Sequence, residues 1–345
     1  MSAIDATRRN RRGGFTLIEL MLVVTMLSVV MYLTLDSVRT QQKTSIVTEQ
    51  IVEVQNNVRA VSSLLEREIR MAGFMVPAAA AVCGVDSTTG PDELYLSESE
   101  MIVPDDERAG TLGARLSSLA SWSASTSAGS TINDLALDSS TTDLDGDGTF
   151  FYDNDENGTA EADFREGGGF ILADAANPAR GAVCGTVGDD PTSTLITLNV
   201  LGGQLNAHSA SADAPEEIVI VPAARYSITD LATGRLERNG DLLVKDVDDF
   251  QVSYFFDNDD DGVIDGGEEL GVGGTTYTAQ GEDNSALSEV RFSIVLRAES
   301  TDPNFDDGEF QEFENRATVA GNDNFRRRVM LGAVRPRNVV IDGSI

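Results

Sequence analysis

The sequence predicts an α+β protein: one long N-terminal helix, transmembrane over its first half, packed by its second half on an antiparallel β-sheet head with long acidic loop insertions. Three observations carry this expectation. An apolar run from Phe15 to Leu35 holds one formal charge, Glu19, and no proline interrupts the chain before Pro77. Beyond Pro77, short runs of alternating apolar and polar residues are separated by Gly, Asp and Asn, the pattern of strands joined by turns. The acidic excess, 57 Asp and Glu against 25 Lys and Arg, suits a solvated head with polar loops.

The first half of the helix covers residues 15–36. About 21 apolar residues make a helix about 31 Å long, enough to cross the hydrocarbon core of a bilayer. Arg8, Arg9, Arg11 and Arg12 stand just before it. Positive residues on that flank place the N-terminus in the cytoplasm and the following chain outside. Glu19 is the exception within the run. An acidic residue at the centre of a membrane helix costs roughly 2.5–3.5 kcal/mol, less near the end where Glu19 lies, so it calls for a partner. Two readings stand. Glu19 sits at the membrane interface of a plain signal anchor, or the chain is cut after Gly14 and the Glu19 of one copy pairs with the new α-amino group of Phe15 on a neighbour.

The second half of the helix covers residues 37–73. Val47, Ile51, Val54, Val58, Val61 and Leu65 recur at spacings that place them on one face, and Ile69 extends the stripe. Gly73 is the expected stop. A helix from Phe15 to about Ala72 would be about 87 Å long. The stripe either packs on the chain's own sheet or enters a short coiled coil of about three heptads.

The head covers residues 74–345. Strand-like runs fall at Leu94–Leu96, Ile218–Val221, Arg225–Thr229, Leu242–Val244, Phe250–Phe256, Val290–Leu296 and Phe325–Val334. In two of them Val252, Tyr254 and Phe256, then Val290, Phe292 and Ile294, alternate with polar residues, as in an antiparallel sheet with one face on a helix. Residues 105–215, rich in Ser, Thr, Ala, Gly and Asp, read as a loop-rich insertion, either long loops or an inserted subdomain. Arg326, Arg327 and Arg328 read as a solvated strand face, or as a contact with an acidic neighbour.

Charge and cysteines narrow the function. The formal net charge is −32 in 345 residues, and residues 1–14 contribute +3 of it, which leaves about −35 for the remainder. Phosphate binding needs a basic footprint, so nucleic acid is not an expected partner. Cys83 and Cys184 lie in similar settings, Val-Cys-Gly-Val and Val-Cys-Gly-Thr. In an oxidising compartment they would close a loop of about 100 residues as a disulfide. The alternative is two buried thiols.

One stretch has metal-ligand spacing. Asp257, Asp259 and Asp261 occupy positions 1, 3 and 5 of a twelve-residue calcium loop, and Gly262 provides the turn. Val263 offers its carbonyl, Asp265 stands at position 9, and Glu268 can bind with both oxygens at position 12. The loop follows a strand-like run rather than a helix, so the expectation is a calcium loop in a β-connection, against a bare acidic turn. Asp143, Asp145 and Asp147 begin the same pattern less regularly, as do Asp153, Asp155 and Asn157; these stretches read equally as a second calcium site or as an acidic loop.

Catalytic patterns are nearly absent. His208 sits in a polar loop context, no Gly-x-Ser-x-Gly elbow occurs, and neither zinc spacing nor a Gly-x-x-x-x-Gly-Lys phosphate loop is present. An enzyme is not expected.

Gly13-Gly14-Phe15-Thr16-Leu17-Ile18-Glu19-Leu20 resembles the processing site of type IV prepilins and type II secretion pseudopilins. The resemblance implies that residues 1–14 are a leader removed by a prepilin peptidase after Gly14, with Gly13 and Gly14 in the cleavage site. It further implies N-methylation of Phe15 and an assembly-docking role for Glu19, within a pilin-like fold. Looser likeness to PilW-type minor pilins lies in Leu64–Phe74, Leu242–Tyr254 and Arg326–Leu331 followed by Arg337-Asn338, a layout shared in large part with the type II pseudopilin J. The implied protein is a minor pilin that initiates or caps a type IV pilus used in adhesion and motility, its head stabilised by Ca2+. Its implied partners are other minor and major pilins, the peptidase and an inner-membrane assembly platform. The implied location is the inner membrane with the head in the periplasm, then the extracellular pilus. A secretion pseudopilin and a pilus-tip adhesin are the rival readings.

Overall fold

A computed structural model describes residues 16–74, 76–97, 114–115, 125–137, 151–152, 161–162, 164, 166–188, 195–207, 217–259, 261–273, 275–277, 284–299, 301, 314–316 and 324–339. It divides into two compact units, Met1–Val52 and Glu53–Ile345.

From Leu17 onward the first unit is helix. Helix α1 spans Leu17–Met71, and its stretch Leu17–Ser45 is long and apolar enough to cross a membrane, with none of its apolar window buried. Large apolar side chains are exposed all along it, among them Leu20, Met26, Val30 and Leu33. A helix apolar on every face needs lipid or other apolar helices around it. Its hydroxyls suit such a medium: Thr25 Oγ1–H donates to Leu22 O at 2.9 Å, Ser28 Oγ–H to Val24 O at 2.7 Å and Thr34 Oγ1–H to Val30 O at 3.0 Å. Each polar group is thereby satisfied within the helix itself.

The second unit begins with the apolar stripe of α1. Val54, Val58, Val61, Leu65, Ile69 and Ala72 are buried, and the side chains of Val47 and Ile51 lie outside the described set. The helix ends at Gly73, whose φ of +82° disfavours any side chain. A Cβ there would also come within 3.1 Å of Asn338 O.

Twelve strands longer than two residues make up the described head. In chain order they are β1 (Val82–Val85), β2 (Glu93–Leu96), β3 (Thr131–Ala136), β4 (Gly169–Asp174), β5 (Ala182–Val187), β6 (Leu195–Leu205), β7 (Ile218–Asp230), β8 (Arg235–Arg238), β9 (Asp241–Val244), β10 (Val247–Phe256), β11 (Leu287–Arg297) and β12 (Arg327–Val334). The larger sheet runs β1-β2-β7-β4-β5-β6, with the β8–β9 hairpin on β7 and β3 on β6. The smaller sheet runs from the short strand Glu269–Leu270 through β10 and β11 to β12. All these pairings are antiparallel.

Two cores form, and the larger sheet contributes to both. The stripe of α1 is buried with the inner face of the smaller sheet, Phe250, Val252, Tyr254, Phe256, Phe292 and Ile294, and with Leu94, Leu96 and Tyr226. The larger sheet encloses a separate cluster that includes Tyr95, Phe170, Leu172, Val183, Ile196, Leu198 and Ile220. Its two ends approach closely. A Cβ on Gly202 of β6 would lie 2.4 Å from Gly84 O of β1, so only glycine permits that approach.

This second core corrects the reading of 105–215 as loop-rich. β3, β4, β5 and β6 all fall within those residues, and β4 and β5 carry buried residues on both faces. A strand covered on both sides reads as a plain apolar run, Gly-Phe-Ile-Leu-Ala-Asp, with no alternation to mark it. Two expected strands also merge into one, since β7 runs through Pro222. The carbonyl of Pro222 accepts Ser97 Oγ–H at 2.7 Å on the β2 edge. The missing N–H would face that same edge, in the gap between the pairings of Val219–Ile220 and of Ala224–Tyr226, so no ladder bond is lost.

Candidate functional site

The N-terminal site begins at Thr16, because Gly13, Gly14 and Phe15 lie outside the described residues. Thr16 precedes the first helical residue, Leu17, and Glu19 stands three residues further on. The Thr16 backbone N–H and hydroxyl both donate to Glu19 Oε2 at 3.0 Å, and the Glu19 N–H donates to Thr16 Oγ1 at 3.3 Å. This is a reciprocal capping box, which satisfies two otherwise orphaned groups at the helix start. Glu19 was expected either to sit at the membrane interface or to pair with the α-amino group of a neighbouring copy. In the isolated chain Thr16 is its partner, and the Thr-x-x-Glu spacing was the signal that could have shown it.

The acidic loop joins β10 to the short strand Glu269–Leu270. Carboxylate oxygens of Asp257, Asp259 and Asp261 lie within 4.8 Å of one another. Backbone amides hold this arrangement. Asp261 N–H donates to Asp257 Oδ1 at 3.1 Å and Gly262 N–H to Asp257 Oδ2 at 3.0 Å, while Val263 N–H donates to Asp261 Oδ1 at 2.7 Å. Gly262, at a φ of +79°, makes the turn that allows it. Glu268 stands apart from the trio. Its oxygens accept Asn258 N–H at 2.9 Å and Asp265 N–H at 2.8 Å, which closes the loop on itself. The donor set is all oxygen and suits a hard cation such as Ca2+. Asp143, Asp145, Asp147, Asp153, Asp155 and Asn157 lie outside the described residues.

Cys83 of β1 and Cys184 of β5 are joined as a disulfide, with Cα atoms 6.0 Å apart and 101 residues between them in sequence. Both are fully buried in the core of the larger sheet. Among the described residues no cysteine is free.

A polar junction between the two sheets had no signal in the sequence. Asp92 N–H donates to Phe250 O at 2.8 Å, and the Asp92 carboxylate accepts Val252 N–H and Ser87 N–H, each at 2.8 Å. The connection from β1 to β2 is thereby clamped to the edge of β10. Asp249 is buried beside it and pairs with Arg316 at 2.6 Å. Burial raises the Asp92 carboxyl to about 8, helped by the negative charges of Asp86 and Asp249 and opposed by its two amide bonds. Of the arginines expected on a solvated face, Arg328 is exposed, whereas Arg327 is not. Arg327 donates to Asp248 at 2.6 Å and is only 12% exposed, so it belongs to an ion pair within the chain rather than to a solvated face.

Residues 9–31 match the family described as the prokaryotic N-terminal methylation motif. The N-terminus is that of a prepilin-like protein. The capping box lies within this motif, the exposed apolar helix starts inside it and runs beyond it, and the helix is fit to anchor the protein in a membrane with the head outside. Such features imply association with other pilins and with a membrane assembly system, in a pilus or pseudopilus. Among solved structures, a type IV-like pilin from Thermus thermophilus is 11% identical, with 83% of this chain and 97% of that chain covered at a TM-score of 0.29, and nothing about this chain rests on that likeness. No curated protein matches the chain.

Proposed function

We propose that this prepilin-like protein is a minor subunit of a type IV pilus, of the PilW type, which enters the filament near its tip and helps to initiate or cap its assembly. The observation that carries this reading is the prepilin motif leading directly into a helix that is apolar and exposed over Leu17–Ser45. Such a helix is stable only in lipid or bundled with others of its kind, and a filament core supplies the second environment as the membrane supplies the first. A peptidase cuts after Gly14 and Phe15 is methylated. The protein waits as a single-pass protein of the inner membrane, head in the periplasm, until the assembly platform draws it into the filament.

Glu19 changes partner in this scheme. Before assembly it caps its own helix through Thr16, and in the filament it meets the α-amino group of a neighbouring Phe15. Calcium binds the loop at Asp257, Asp259 and Asp261 with the Val263 carbonyl, Asp265 and Glu268, and makes that hairpin rigid for contact with other subunits. The role is structural, with energy for assembly supplied by a separate ATPase.

A deletion strain tests the proposal, with sheared surface pili and secreted proteins scored side by side. The expected result is loss of pili with export intact. Loss of export with pili intact would assign the protein to a type II secretion pseudopilus instead.

A further inference from the structure

Arginine is scarce relative to acid in this chain, and across the head it is mostly committed. Arg180, Arg225, Arg235, Arg238, Arg291, Arg297, Arg316 and Arg327 each hold a carboxylate at 2.6 to 3.6 Å. Arg335 and Arg337 do not, and both line one cavity of about 340 Å³ just after β12. Ser285, Ser288 and Asp257 complete its polar wall.

We propose that this cavity binds a small hydroxylated carboxylate, of the uronic-acid class, with Arg337 as the principal anion-binding residue. Arg335 is already oriented: its Nη2–H donates to Ser288 Oγ at 2.8 Å and its Nε–H to Ser288 O at 3.3 Å, which leaves its remaining N–H donors for a ligand. Arg337 is tied only by its backbone, N–H to Arg70 O at 3.2 Å, so its guanidinium is uncommitted. Two arginines lining one cavity suit the paired oxygens of a carboxylate. Ser285 and Ser288, which also line the cavity, offer hydroxyl oxygens to the hydroxyls of such a ligand. The volume falls at the lower end for small-molecule sites and suits a single sugar-sized unit. The inference stands whether or not the chain enters a filament.

The test is calorimetric titration of the full chain in detergent, in calcium-containing buffer, with glucuronate as the probe and glucose as the uncharged control. Glucuronate is expected to bind at one site and glucose not at all. Arg337→Ala should weaken glucuronate by about tenfold or more, and Arg337→Gln by nearly as much, without change in melting temperature because the backbone contact is kept. Competition by a uronate oligomer, better per carboxylate than the monomer, would identify a polysaccharide as the source; equal competition would identify a free sugar acid. Equal glucuronate affinity in wild type and both variants, equal binding of glucose, or no heat with glucuronate would each overturn the proposal.

Discussion

The hydroxyl of Tyr226, on β7, donates a hydrogen bond to the carboxylate of Glu68, on the last turns of α1. Arg238 of β8 donates to the same carboxylate at 3.1 Å. Around this polar pin the interface is apolar, with Leu65 and Ile69 fully buried on either side along the helix. Burial and the charge of Glu68 raise the Tyr226 hydroxyl far above its ordinary range, so it remains a donor at any physiological pH. Glu68→Ala leaves the buried Tyr226 hydroxyl without its acceptor and takes one carboxylate from Arg238, and is expected to destabilise the head by about 2 kcal/mol or more. Tyr226→Phe should cost less, since Arg238 still holds Glu68. A double-mutant cycle read by urea unfolding checks the pair, and additive effects would show that the two residues are not coupled.

The second prediction concerns pH. Asp92 titrates in the fold at about 8, whereas an unfolded aspartate titrates near 3.9. The native state then binds more protons than the unfolded state between those values, so stability falls as pH rises through that window. Below about pH 4 the penalty is absent, and above about pH 8 it is complete. The groups around it are Asp86, Asp249, Arg316, Tyr254 and Tyr277, of which only Arg316 is positive. Melting temperature measured from pH 5 to 9 should decline more steeply in the wild type than in Asp92→Asn. Parallel profiles would remove Asp92 as the cause.

The calcium reading predicts a conditional effect. Asp257→Ala combined with Asp261→Ala should lower the melting temperature in calcium but leave it unchanged in chelator. Ligand binding to the native state alone adds stability that grows with ligand concentration, so the difference should widen as calcium is raised. Equal shifts in both conditions would remove the claim.

Glu19→Ala is expected to weaken incorporation into the filament while leaving cleavage after Gly14 intact. Immunoblots that compare mature protein in the membrane with protein in sheared filaments read both effects. Normal incorporation of the mutant would count against pairing of Glu19 with the neighbouring amine.

The Cys83–Cys184 bond closes a long loop and sits inside the larger core. Cys83→Ser with Cys184→Ser should cost about 2–5 kcal/mol in unfolding, read by urea titration. An unchanged midpoint would mean that the core holds its shape without the bond.

The legible parts of this protein are those written in local pattern. The apolar run after the arginines, the stripe from Val54 to Ile69, the alternation in β10 and β11, and the spacing from Asp257 to Glu268 all depend on residues close in sequence. The illegible parts were of two kinds. β4 and β5 are buried on both faces and lose the period that identifies a strand, whereas β6 did alternate, with Ile196, Leu198 and Val200 inward, but stood among stretches rich in Ser and Gly. Asp92, Arg335 and Arg337 carry no local pattern at all, since their surroundings come from residues far away in the chain.

The amino-acid order alone decided that a membrane-length helix follows a prepilin motif, where that helix stops, and that an antiparallel acidic head comes after it. These follow from hydrophobic period, from glycine at a left-handed turn and from charge, all of which act over a few residues. Tertiary structure alone decided that residues 105–215 contribute strands to a second core, that Glu68 meets Tyr226, and that Arg335 and Arg337 share a cavity with Asp257. Those outcomes depend on which distant strands pair and in which register, and packing over the whole head selects among registers that local sequence leaves open.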